Sequence, residues 1–234
     1  MIGCLIIHGF TGGPFEVEPL RAFLEERTDW KVLVPTLTGH GEELDLSSVK
    51  YEVWLEDAKH ALHELQAQCE TVYVVGFSMG GMIAAYLAGT ENVDRLVLLA
   101  TARKYLSFKY LSQYVAEVIG DGVKGKLEEN EMYHHYKGKI GTVPLRANIE
   151  FMKLVNKTKD YLEEVTAPVF IAQGKRDGLV PYHVAYALEE EIASEEKEVV
   201  FFEQSKHLIC LGNDSEILNK MIYQFLEEET ETGA

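Results

Sequence analysis

The sequence predicts an α/β protein built on a doubly wound, mostly parallel sheet of about six or seven strands, with a small helical insertion. Three observations carry the prediction. Short apolar runs alternate with longer stretches of helical period. The apolar runs are nearly continuous, as strands covered on both faces require. One late connection is far longer than those joining neighbouring elements in a compact domain.

Taken in order, the first strand is Cys4 to Ile7, and Val17, Leu20, Phe23 and Leu24 place a helix after it. Lys31 to Val34 is the second strand. Trp54, Leu55, Ala58, Ala61, Leu62 and Leu65 then fall on one face of a long helix. Val72 to Gly76 is the third strand and leads into a helix that begins near Gly81. The stretch Val72 to Gly89 has the length of a membrane span, but its Gly-rich middle and central serine fit a strand, a sharp turn and a buried helix. Arg95 to Ala100, Val169 to Gln173 and Glu198 to Glu203 are the remaining strands. Val184, Leu188 and Ile192 mark a helix after Pro181, and Ile217, Leu218, Met221, Ile222, Phe225 and Leu226 mark the last one. Right-handed crossovers between these strands give a doubly wound sheet.

The long connection spans 101–166 and reads as a helical cap inserted into a core made of 1–100 and 167–234. It holds Tyr105, Tyr110, Tyr114, Tyr133, Tyr136 and Tyr161, six of the twelve tyrosines, with Phe108, Met132, Phe151 and Met152. Such an insertion would pack its apolar side chains on its own helices and the sheet, or line an apolar pocket.

The 234 residues suit one core with an insertion. A formal net charge of −16 repels phosphate backbones and anionic headgroups, so no nucleic-acid partner is expected. Cys4, Cys69 and Cys210 are too few and too widely spaced for a disulfide framework or a zinc site. The opening run lacks the basic region and the length of a secretory signal, and no window is a convincing bilayer span. A cytoplasmic protein without an integral membrane segment is expected.

Gly76-Phe77-Ser78-Met79-Gly80-Gly81 sits between a strand and a helix, the context of a nucleophile elbow. A serine on so tight a turn needs small neighbours at 76 and 80, and it meets the amide groups of a helix N-terminus. A serine hydroxyl is a weak nucleophile, so a histidine base held by a carboxylate is required, in the order Ser, acid, His. His207 follows the last strand and Asp177 follows the preceding one, so both loops emerge on the side of Ser78. Asp214 is the rival acid, although it lies beyond His207 and reverses that order. His60, His63, His134, His135 and His183 occupy helices, the insertion or the segment after Pro181 and read as packed or solvated.

Two backbone donors must hold the oxyanion. Met79 N–H follows the nucleophile, and Phe10 N–H lies in the Gly-rich loop His8-Gly9-Phe10-Thr11-Gly12-Gly13 after the first strand. His8 reads as an anchor for that loop. The loop lacks the glycine spacing and the lysine of a phosphate-binding loop.

HGFTGG, GFSMGG, the Gly-x-x-Asp segment leading to Val-Pro and the late Gln-Ser-x-His resemble the α/β-hydrolase superfamily, in particular its small bacterial carboxylesterase and monoacylglycerol lipase group. Thr38-Gly39-His40-Gly41 is similar to a segment of that group, and reads equally as a plain turn. Lys206 departs from the small residue that many relatives carry before the catalytic histidine, and because the sequence opens directly on the strand that bears HGF, a sheet short of one or two leading edge strands is expected. The resemblance implies a serine carboxylesterase with Ser78, Asp177 and His207 as the triad, and Phe10 and Met79 as the oxyanion hole. It implies no cofactor and no metal, a small-molecule ester as substrate, and a monomer or homodimer. Monoacylglycerol lipase, thioesterase, acyltransferase and peptidase chemistry would keep the same triad. A weakly catalytic binder on the same fold is the rival of a different class.

Overall fold

The computed structural model describes residues 1–103 and 143–228. Six strands form one sheet: β1 (Ile2–Ile7), β2 (Lys31–Leu33), β3 (Thr71–Phe77), β4 (Arg95–Leu99), β5 (Val169–Gly174) and β6 (Lys197–Phe202). Every neighbouring pair is parallel and the order is β2-β1-β3-β4-β5-β6. The chain therefore moves outward from β1 to β2, then returns to the other side of β1 to lay down β3. At such a reversal the loops after β1 and β3 diverge and open a crevice at the carboxyl ends of the strands.

The helices are α1 (Glu18–Arg27), α2 (Tyr51–Gln66), α3 (Met79–Thr90), α4 (Leu145–Thr158), α5 (Val184–Glu191) and α6 (Ser215–Glu227). Strand residues alternate between faces, so each strand feeds two cores. Cys4, Ile6, Val75, Val97 and Leu99 meet Leu20 and Leu24 of α1 and Leu218 and Ile222 of α6. Leu5, Ile7, Val74, Leu96 and Leu98 face the layer formed by α2, α3, α4 and α5. Trp54 and Leu62 on α2 are fully buried there. Truncating a leucine such as Leu62 to alanine would cost roughly 2–5 kcal/mol. Helix α3 is enclosed on nearly every side, with Met79, Met82, Ile83, Ala84, Ala85 and Leu87 all buried. It is the central helix that carries the turn after β3.

The strand ends differ slightly from the sequence-based expectation. β1 starts at Ile2 because it pairs with Thr71 across the sheet, and β6 starts at Lys197 because that residue pairs with Val169. Helix α3 starts at Met79 rather than near Gly81, because Ser78 alone makes the turn between strand and helix.

Of the expected insertion, α4 and a 3-10 segment, Lys159–Glu164, are described. Ala147, Phe151, Leu154, Val155 and Leu162 join the same apolar core as α2 and α3. Glu150, also on α4 and 4% exposed, accepts the Tyr51 N–H at the first turn of α2 at 3.3 Å. Tyr105, Phe108, Tyr110, Tyr114, Met132, Tyr133 and Tyr136 lie outside the described residues, as do His134 and His135. Among the described residues no helix is long and apolar enough to cross a membrane.

Candidate active site

Ser78 has φ 55° and ψ −113°, a region that L-residues rarely occupy. The surroundings hold it there. Its N–H donates to the Leu99 carbonyl at 2.8 Å, and its carbonyl accepts the Gly81 and Ala102 N–H groups at 3.1 Å each. A Cβ on Gly76 would strike the Gly80 carbonyl, and one on Gly80 would strike the Ile7 carbonyl of β1. The two glycines let strand, serine and helix stack at backbone contact distance.

Two loops bring partners to Ser78. Arg176 N–H donates to the Ser205 carbonyl at 3.1 Å and Lys175 N–H to the Phe202 carbonyl at 2.9 Å, so the loops after β5 and β6 are tied together. His207 Nε2 lies 3.0 Å from Ser78 Oγ, and His207 Nδ1 lies 2.7 Å from Asp177 Oδ2. Ser78 and His207 are only 8% and 6% exposed. The Asp177 side chain is fully buried. Its Oδ1 accepts the Leu179 and Val180 N–H groups, both at 2.8 Å, and its Oδ2 also accepts Gln173 Nε2–H at 2.9 Å. Four donors thus converge on the one carboxylate and fix its place. The carboxylate orients the imidazole with Nδ1–H towards the acid and leaves Nε2 free to accept the serine proton.

Burial alone would lower the pKa of His207. The neighbouring Asp177 charge, its hydrogen bond and the Glu16 charge outweigh that effect and hold the imidazolium above its ordinary range. Asp214 faces elsewhere: its Oδ2 accepts Ser205 Oγ–H at 2.6 Å, and it stands at the start of α6. His63 pairs with Glu91 at 3.2 Å, and His183 lies beside the Tyr182 ring.

The loop after β1 is fixed from several sides. Leu37 N–H donates to His8 Nε2 at 3.1 Å, so that nitrogen carries no proton and Nδ1–H donates to the Gly9 carbonyl at 2.9 Å. Gly12 N–H donates to the same carbonyl at 3.3 Å, and Gly41 N–H donates to the Gly12 carbonyl at 2.9 Å. The Thr38–Gly41 stretch is thus a brace for this loop. The Phe10 ring stacks on Phe151 of α4, with centroids 4.9 Å apart and planes 10° from parallel. It also meets the edges of His40 and Trp54 at 6.1 and 5.9 Å.

Two residues of this site escaped the sequence reading. Gln173 ends an otherwise apolar strand, and that polar interruption was a usable signal. Glu16, 1% exposed, accepts the Gly9 N–H at 2.8 Å. In sequence it looks like any acidic residue in a first helical turn, so nothing marked it. Among the described residues, no group of three or more His, Cys, Asp or Glu side chains is placed to hold a metal ion.

A family model described as serine aminopeptidase, S33, matches residues 3–216. The chain belongs to that family. Among curated relatives of this S33 chain, a thermostable monoacylglycerol lipase of Bacillus sp. (strain H-257) is 27% identical over 233 residues, covering 96% of this chain and 90% of its own. A carboxylesterase of Bacillus subtilis (strain 168) is 22% identical, covering 96% and 92%. Among solved structures, one reported for the metagenome-derived lipolytic enzymes LipS and LipT superposes with a TM-score of 0.79 at 23% identity, covering 97% and 94%. The Paleococcus ferrophilus monoacylglycerol lipase does so at 0.69 and 19% identity, covering 96% and 93%. The fold is the α/β-hydrolase fold that the motifs implied, and the resemblance to the esterase and lipase group of that superfamily holds.

Proposed function

We propose that this chain is a serine carboxylic-ester hydrolase that acts on short- to medium-chain acyl esters through an acyl-enzyme. The observation that carries the reading is the continuous hydrogen-bonded line from Ser78 Oγ through His207 to Asp177, with steps of 3.0 and 2.7 Å. In the proposed cycle Ser78 Oγ attacks the acyl carbon while His207 Nε2 takes its proton. Phe10 and Met79 N–H groups hold the oxyanion, and Asp177 stabilises the imidazolium. The tetrahedral species then collapses, His207 returns the proton to the leaving alcohol, and the acyl group stays on Ser78. Water repeats the sequence, giving its proton to His207 and releasing the acid. Every group in the scheme belongs to the chain itself, within a cytoplasmic protein whose cap spans 101–166.

Ser78→Ala tests the reading, since alanine is small enough for the same turn. Turnover of p-nitrophenyl butyrate should vanish while the thermal unfolding midpoint stays within a few degrees, and a fluorophosphonate should label Ser78 in the parent alone. Retained turnover would end the assignment. The similarity to a monoacylglycerol lipase across 90% of that protein's length favours a second reading, monoacylglycerol hydrolysis. A kcat/KM for 1-monobutyrin above that for ethyl butyrate would select it. Turnover of an amino-acid p-nitroanilide in preference to both would instead point to peptidase chemistry.

A further inference from the structure

We propose that Glu16 is a positioning residue of the oxyanion loop: by accepting the Gly9 N–H, its buried carboxylate holds Gly9 on the side of the peptide that precedes the one presenting the Phe10 N–H. The proposal rests on the assignment of Ser78 and Phe10 made above.

A carboxylate that is 1% exposed is costly unless it is hydrogen-bonded, and an apolar side chain could fill the same space without that cost. Here the carboxylate is placed against a loop of backbone amides. Oε2 lies 2.8 Å from Gly9 N, across seven residues of chain. The loop wraps tightly around it, because a Cβ on Gly12 would fall directly on the Glu16 carboxylate. Gly12 is therefore required by its contact with Glu16, whereas Gly76 and Gly80 are required by the elbow.

Gly9 is thereby anchored at both ends, by Glu16 on its N–H and by His8 Nδ1–H on its carbonyl. In a planar trans peptide the N–H of one residue points opposite to the carbonyl of the residue before it. Fixing the Gly9 carbonyl therefore fixes the direction of Phe10 N–H. The next residue, Thr11, has φ 62°, a strained conformation for a β-branched side chain. Such a loop relaxes when an anchor is withdrawn.

The carboxylate also acts as a charge. His207 is faced by Asp177 from the loop after β5, by Ser78 from the elbow, by the Phe77 ring from β3 and by Glu16 from the turn after β1. Lys206, next to it in the chain, is exposed. Cys210 is buried, and desolvation with the Glu16 charge pushes its thiol up to about 12, so it contributes no charge at neutral pH. Glu16 and Asp177 thus both favour the imidazolium.

Two variants separate reach from charge. Glu16→Gln keeps an oxygen within reach of Gly9 N–H but removes the charge. Glu16→Asp keeps the charge but withdraws it by one methylene. Each protein is titrated with a fluorophosphonate, so that rates refer to active sites, and is assayed with p-nitrophenyl butyrate and with a trifluoromethyl ketone of matching chain, whose hemiketal oxygen occupies the oxyanion hole. For Glu16→Asp, kcat and ketone affinity should fall together by about 10²-fold, the scale of losing one oxyanion donor, with KM within about twofold. For Glu16→Gln, kcat should stay within about fivefold of the parent, while the acidic midpoint of kcat/KM moves to lower pH. Wild-type kcat and ketone affinity per titrated site in Glu16→Asp overturns the proposal, as does an equal loss in both variants. Failure of the probe to label Ser78 in the parent would count against the esterase assignment itself, a result separable from either outcome.

Discussion

Gln173 donates to the same oxygen of Asp177 that accepts the His207 Nδ1–H: Nε2 lies 2.9 Å from Oδ2, and His207 Nδ1 lies 2.7 Å from it. Gln173 is itself held by the Val180 carbonyl at 3.2 Å, in the turn that also supplies two amides to Oδ1. The acid is therefore clamped on both oxygens.

Gln173→Leu removes one charge-assisted hydrogen bond while keeping most of the volume. Such a bond is worth about 1.5 kcal/mol, so kcat/KM should fall roughly tenfold. Steady-state assays on active-site-titrated enzyme measure this. An unchanged rate would mean that the amides of Leu179 and Val180 orient Asp177 alone.

Asp177→Asn should lower kcat by up to about 10⁴-fold, because an amide cannot stabilise a cationic His207 and favours the wrong tautomer. Asp214→Asn should cost far less in rate and show its effect in thermal unfolding, since Asp214 holds Ser205 at 2.6 Å and starts α6. The reverse ranking would move the acid to Asp214.

The pH dependence has a definite sign. Only neutral His207 can accept the serine proton, and its pKa lies above the ordinary histidine value of about 6.5 because Asp177 and Glu16 outweigh the effect of burial. Activity should therefore be absent at low pH and rise through a midpoint above 6.5, read from kcat/KM of the free enzyme. A midpoint below that value would show that desolvation dominates.

Buried thiols should be inert. Desolvation holds Cys4 and Cys210 up at about 12 and both are fully enclosed, so a disulfide reagent such as DTNB should leave them unmodified in the native protein and react after denaturation. Prompt reaction of either in the folded enzyme, located by peptide mapping, would contradict the packing around β1 or the loop after His207.

An acyl chain lying on apolar surface gains about 0.8 kcal/mol per CH₂, so kcat/KM for saturated esters should climb roughly threefold to fourfold per added carbon before falling. Phe151→Ala should depress this climb and also lower kcat severalfold, because it removes the ring stacked on Phe10 at 4.9 Å. A flat chain-length profile in the parent enzyme would assign the apolar residues of 101–166 to packing alone.

What was legible in the sequence followed from local physics. The near-continuous runs of β1, β3 and β4 fit strands covered on both faces, and the glycines around Ser78, set between a strand and a helix, fit a tight turn. The meeting of His207 with Asp177 and Ser78 was foreseeable from the rule that loops after parallel strands share one edge. Glu16 and Gln173 were not, for different reasons. The role of Glu16 depends on a loop folding back over it, which no period or motif encodes. Gln173 was visible as a polar residue at a strand end, but its direction towards Asp177 depends on the turn through Val180. Residues of α4 fall inside the cap expected over 101–166, yet they share the main apolar layer because Phe151 and Leu154 reach α2 and α3.

His207 and Ser78 are separated by 129 residues of chain. Asp177 and His207 stand in the loops after β5 and β6, so the line from Ser78 to His207 is complete only where β4, β5 and β6 lie in register beside β3, and contacts this far apart in the chain are costly in loop-closure entropy. A refolding chain would accordingly regain its helical signal and much of its compactness before it regains reactivity towards a fluorophosphonate. Truncation before residue 207 would leave a protein with an elbow and no base. A reactive Ser78 would thus serve as a reporter that the last strand has docked.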